Sequence, residues 1–116
     1  MTKTTREQFE LFETEALFWL DRFGLTEWET FIVHEDCQDS GTLADCGWRI
    51  TGRQARIRFN LKIIKSTSWE HIARAAFHEV CELMLSDTTD MLWRGHSEAV
   101  VERETHRIIR RLENAV

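Results

Sequence analysis

The stretch Ala55-Arg56-Ile57-Arg58-Phe59-Asn60-Leu61-Lys62, followed shortly by Ile72-Ala73-Arg74-Ala75-Ala76-Phe77-His78-Glu79-Val80-Cys81-Glu82-Leu83-Met84, changes its hydrophobic period midway. In the first part apolar and polar residues alternate, the pattern of a strand with one face on a core and the other wet. In the second part Ile72, Ala73, Ala76, Phe77, Val80, Leu83 and Met84 recur at spacings of three and four, which is the helical period. Thr67-Ser68-Trp69-Glu70 has the spacing of a capping box, so the helix is expected from about Thr67 to Ser86. Its broad apolar face predicts a central position.

Upstream, Trp28 to Glu35 suits a strand, with Phe31, Ile32 and Val33 at its centre, and Gln38-Asp39-Ser40-Gly41 is a turn cluster. Leu43 to Thr51 reads as a second strand carrying Trp48 and Ile50, and Thr51-Gly52-Arg53 as the turn into Ala55 to Leu61. The short connections predict an antiparallel meander. From Thr5 to Phe23, the residues Phe9, Phe12, Ala16, Leu17, Trp19, Leu20 and Phe23 keep the helical period, and Gly24 stops that helix. Downstream, Asp87 to Gly95 reads as a loop. Ser97 then caps a last helix whose apolar positions are Val100, Val101, Ile108, Ile109 and Leu112. The expected architecture is α+β: an N-terminal helix, a small three-stranded antiparallel sheet and two C-terminal helices. It forms one domain over residues 1–116, without repeat or linker.

At 116 residues, the length is that of one domain able to bury a core without disulfide staples. The composition, 42% hydrophobic and 30% charged, is too apolar for disorder. A net charge of −5 argues against a nucleic-acid binder. No apolar run approaches the roughly 18 residues of a membrane span. The N-terminus has no secretory hydrophobic region, so a cytoplasmic location is expected. Three cysteines, an odd number, do not suggest a disulfide framework.

His78 and Glu82 stand four residues apart on the predicted central helix, so their side chains project from one face. Two convergent ligands held by one helix are what a metal ion requires. Ionisable groups inside so apolar a segment must face solvent or find a partner. The last helix offers three candidates for a third ligand, Glu98, Glu102 and His106. Glu102 and His106 are themselves one turn apart, so one could ligate while the other holds a ligand in place.

In His78-Glu79-Val80-Cys81-Glu82 the chain resembles the gluzincin-type minimal zinc metallopeptidases, including small phage and bacterial domains, with Glu in place of the second His of His-Glu-x-x-His. The order of elements resembles that family too. The resemblance implies a zincin-like domain in which His78, Glu82 and, on the following helix, Glu102 bind Zn²⁺. Glu79 would act as general base to a metal-bound water attacking a peptide or other amide carbonyl. It also implies that Ala55 to Leu61, taken as an edge strand, lies along an extended substrate. One His and two Glu would leave the zinc site with a charge of about zero, against about +1 for two His and one Glu. The ion would then be a weaker Lewis acid, and Mn²⁺ or another harder metal could be favoured.

A reading from another class is a non-catalytic protein-interaction domain on the same scaffold, of the phage effector or inhibitor type, without metal and without dependence on Glu79. Either way the expected partner is a protein or peptide. A weaker alternative is nucleic-acid binding through Arg53, Arg56, Arg58 and Lys62, against which stands the wet face of a strand. His34, Cys37 and Cys46 form a second possible metal set that lacks an evident fourth ligand. Cys81 reads as a small buried residue rather than a nucleophile. His96 is placed where it could reach the site as an electrophile, or merely precede the Ser97 cap.

Overall fold

In the computed structural model, which describes residues 1–116, the chain forms β1 (Thr2–Lys3), α1 (Arg6–Arg22), β2 (Glu29–Glu35), β3 (Ala44–Arg49) and β4 (Gln54–Asn60). It continues with β5 (Lys62–Ile63), α2 (Trp69–Met84), α3 (Ser86–Trp93) and α4 (Glu98–Ala115). The class is α+β, as expected.

The alternation in β4 sorts its side chains as predicted from Ala55 to Phe59, with Ala55, Ile57 and Phe59 buried and Arg56 outward. It breaks at the strand end, where Asn60 is buried with its amide hydrogen-bonded and Leu61 is exposed. The inward row meets Phe12, Ala16 and Leu20 of α1 and Ile72, Ala76, Val80 and Leu83 of α2 in one core. Each large apolar side chain buried there contributes about 1.5–3 kcal/mol relative to exposure. Helices cover only one face of the sheet, which leaves the other face to Arg56 and the half-exposed Phe31.

The strand order corrects the expected meander. β4 lies between β2 and β3, and it pairs parallel to β2 and antiparallel to β3. Only the β3–β4 connection is a hairpin, closed by Arg53 N–H donating to the Ile50 carbonyl, with Gly52 at φ +86°. The chain from β2 crosses to the far side of the sheet before returning through β3. β4 is therefore central, and β3 is the edge strand that lies beside α2. Hydrophobic alternation is the same for parallel and antiparallel neighbours, so it could not decide between them.

The helix boundaries follow local chemistry. Thr5 caps α1 in a reciprocal box with Gln8. Gly24, at φ +66°, ends that helix as predicted, with the Leu25 N–H reaching back to the Leu20 carbonyl. Ser68, not Thr67, caps α2, its hydroxyl accepting from the His71 N–H. The segment expected as a loop, Asp87 to Gly95, is largely helical. α3 follows α2 after a break at Leu85 and buries Ser86 and Thr89.

Two polar residues tie the sheet to its surroundings. Asn60 is fully buried: its Oδ1 accepts from the Cys37 N–H at 3.0 Å, and its Nδ2 donates to the carbonyls of Asp39 at 3.0 Å and Thr42 at 2.7 Å. The Thr4 hydroxyl donates to the Asn60 carbonyl at 2.6 Å and lies 2.7 Å from His34 Nε2. No helix is long and apolar enough to cross a membrane.

Candidate metal centre

Helix α2 is buried around most of its circumference, including Phe77, Glu79, Val80, Cys81 and Leu83. The face carrying His78 and Glu82 is the open one, and α4 lies across it. Ile109 of α4 packs on Phe77 and Cys81, which sets the height at which α4 presents its polar residues.

At that height His106 meets the α2 pair. Its Nε2 lies 3.3 Å from Glu82 Oε1, the imidazole N–H donating to the carboxylate. His78 Nε2 lies 3.7 Å from the same oxygen. One ligand atom from each of His78, Glu82 and His106 falls within 4.8 Å of the others. A tetrahedral zinc with bonds of about 2.0–2.1 Å holds its ligand atoms about 3.4 Å apart, so this set fits such an ion with only small side-chain adjustment. On the other side of His78, Nδ1 faces Glu113 Oε2 at 3.5 Å.

Glu79 completes the arrangement. It is 6% exposed, and its Oε1 has no hydrogen-bond partner. A buried, unpaired carboxylate oxygen is costly and calls for an occupant or a proton. Burial, the nearby Glu82 and Asp45 push its carboxyl well above the usual carboxylate range. Burial also acts to raise Glu82, but contact with His78, Glu79 and His106 outweighs it and holds Glu82 below its ordinary value. Contact with Glu82 raises His78, against the opposing effect of burial. The site therefore pairs an ionised carboxylate with imidazoles and keeps a second carboxyl ready to hold a proton.

These residues line a cleft of about 490 Å³ between the edge strand β3 and the helices α2, α3 and α4. Of the sequence-predicted residues, His78, Glu79, Glu82 and the alternative third ligand His106 meet there. Glu102 lines the same cleft but is exposed at its mouth, one turn before His106, and does not belong to the three-residue cluster. Glu98 and His96 lie outside the cleft, beside Trp93. β3, rather than Ala55 to Leu61, runs along the site.

The remaining candidates disperse. His34 stacks on Phe9 with ring centroids 5.1 Å apart, Cys37 is buried beneath Asn60, and Cys46 faces the cleft, so the three form no metal site. Burial pushes the Cys37 and Cys81 thiols up to about 12. The basic row is largely neutralised within the chain: Arg53 pairs with Asp87, Arg56 with Glu35 and Arg58 with Asp45.

Two contributors were not recognised in the sequence. Glu113 stands seven residues, two helical turns, after His106, and that spacing was its available signal. Trp93 became visible only once α3 brought it to the cleft wall. Comparison with known proteins finds no matching family model, curated protein or solved structure.

Proposed function

We propose that the chain is a small zincin-like, metal-dependent hydrolase acting on peptide or protein substrates, with His78, Glu82 and His106 as the ligands and Glu79 as the general base. The observation that carries this reading is the convergence of three ligand atoms within 4.8 Å beside a buried carboxyl oxygen with no partner.

The donor set supports zinc over a harder metal. With His106 in place of Glu102, the site holds two imidazoles and one carboxylate, a set used in hydrolytic zinc centres. The expected loss of Lewis acidity from a His/Glu/Glu set then does not arise, because the Glu at 82 and the His at 106 keep the overall charge near +1. A bound zinc ion supplies acidification of water and polarisation of a carbonyl oxygen.

The chain's own residues do the rest. Glu113 faces His78 Nδ1 and keeps Nε2 turned toward Glu82. Glu79 takes the proton of the attacking water and returns it to the departing amine. Burial and the nearby Glu82 raise its affinity for a proton, which suits a group that holds one between the two transfers. Edge strand β3 offers unpaired backbone groups along one wall of the cleft.

One observation favours the non-catalytic reading: Glu82 already contacts both imidazoles, so the cluster is partly satisfied without an ion. Elemental analysis of untagged protein separates the two readings. About one zinc per chain, lost in His78→Ala, is expected. Glu79→Gln should retain the zinc and lose cleavage of a quenched-fluorescent peptide library by about 10²–10⁴-fold. Failure to take up metal after reconstitution overturns the hydrolase reading.

A further inference from the structure

The wall of the cleft is one-sided in charge. It carries Asp45, Glu79, Glu82 and Glu102 and contains no lysine or arginine. Three of these carboxyls are accounted for. Asp45 is bidentate to Arg58, at 2.8 and 2.6 Å. Glu82 faces the two imidazoles, and Glu79 is the buried acid beside them.

Glu102 is different. It is exposed, lies at the mouth and forms no ion pair, although α4 also carries Arg103, Arg107, Arg110 and Arg111. The arginine that does pair nearby, Arg107, takes Glu104 instead. Two aromatic rings share the cleft with Glu102: Trp48 from β3 and Trp93 from α3, the latter 49% exposed. Indole faces and a free carboxylate attract the same kind of group, a cation on an apolar stem. The unpartnered Oε1 of Glu79, in a residue more than nine-tenths buried on the same cleft wall, is an observation separate from the pairing of Glu102 and marks the cleft as a place with an acceptor unfilled.

We infer that the cleft selects a basic residue: a lysine or arginine side chain of the bound peptide lies along Trp48 and Trp93 with its charged end at Glu102. The inference rests on the hydrolase reading only for calling the bound peptide a substrate; the selectivity is a property of binding. Glu102 thereby has a role in the cleft without being a metal ligand. Its carboxylate is attracted to ammonium and guanidinium alike, and a bidentate contact adds to the preference for arginine.

The test compares two acetylated, amidated hexapeptides that differ at one position, lysine against norleucine, which has the same four-carbon stem without the ammonium, in an otherwise all-alanine sequence. Binding is read from tryptophan fluorescence, with and without one equivalent of zinc. The wild type is expected to bind the lysine peptide at least ten-fold more tightly. Glu102→Gln should reduce the ratio to within about two-fold and leave norleucine affinity unchanged. Because Glu102 is exposed, this variant retains the fold. Trp93→Leu should weaken lysine binding at least three-fold. Equal or tighter binding of norleucine, or a ratio that survives Glu102→Gln, overturns the inference. Zinc uptake and peptide cleavage are scored separately, so a chain that binds lysine but takes up no zinc keeps the inference and loses the hydrolase reading.

Discussion

His78 on α2 is held between two carboxylates, Glu82 at 3.7 Å from Nε2 and Glu113 at 3.5 Å from Nδ1. An imidazole so placed has one nitrogen committed to each side. In the proposed metal site Glu113 would hold the proton on Nδ1 and leave Nε2 for the cluster. Removing it should therefore loosen the ligand rather than the fold. Glu113→Ala is expected to weaken zinc binding about 10–100-fold in a chelator competition, with thermal stability of the zinc-free protein changed little. Unchanged affinity would make Glu113 a bystander.

The identity of the third ligand separates two neighbouring residues on α4. His106 is in the cluster, and Glu102 is at the mouth of the cleft. His106→Ala is expected to abolish stoichiometric zinc, and Glu102→Ala to retain it. The opposite outcome, zinc lost with Glu102 and kept without His106, would restore the ligand set implied by the family resemblance.

A pH effect is expected far from the site. Burial holds His34 below its ordinary value of 6.5, against the ring of Phe9 and the Thr4 hydroxyl. Above that value the imidazole is neutral in both folded and unfolded chains. Below it the unfolded chain takes up the proton first, so stability is lost as pH falls from 6.5 through the folded-state value. The melting temperature of the wild type should fall faster than that of His34→Gln between pH 7 and pH 5. Parallel curves would show that His34 is not the titrating group.

Asn60 predicts a large loss of stability. In the segment leading to β3 its amide accepts from the Cys37 N–H and donates to two carbonyls, among them Thr42 on the cleft wall, and its Oδ1 also accepts from the Lys62 N–H at 3.4 Å. Truncation orphans the Cys37 N–H and the Thr42 carbonyl, while the Asp39 carbonyl keeps the Thr42 N–H as a donor. Asn60→Ala should cost about 3 kcal/mol in urea denaturation, since each buried group left unpaired costs about 1–3 kcal/mol. A loss below about 1 kcal/mol would mean that water replaces the amide.

What the sequence made legible was local. The strand period in Ala55 to Phe59, the helical period in α1, α2 and α4, the Gly24 stop and the Ser97 cap all depend on neighbours in the chain, and all reappear in the structure. The pairing partner of β4 depends on a segment about 25 residues away, and alternation carries no information about it. α3 was hidden because its polar Asp87, Thr88 and Asp90 resemble a loop, while burial of Ser86 and Thr89 is set by the helices they touch. At the site, His78 and Glu82 were visible because one helix sets their spacing. His106 and Glu102 are both candidates by their spacing on α4. The choice between them turns on the rotation of α4, which Ile109 fixes against Phe77 and Cys81.

Helix α4 buries only Val101, Thr105 and Ile109, one residue per turn, along a single stripe. So slender a seam suggests that α4 opens at a lower free energy than α1 or α2, as a separate cooperative unit. An ion shared by His78, Glu82 and His106 would act as a clasp across that seam. Through mass action it would lend α4 roughly 4 kcal/mol when present at a thousand times its dissociation constant. Slowing of amide hydrogen exchange by zinc should therefore be concentrated in the backbone of α4, with α1 little affected.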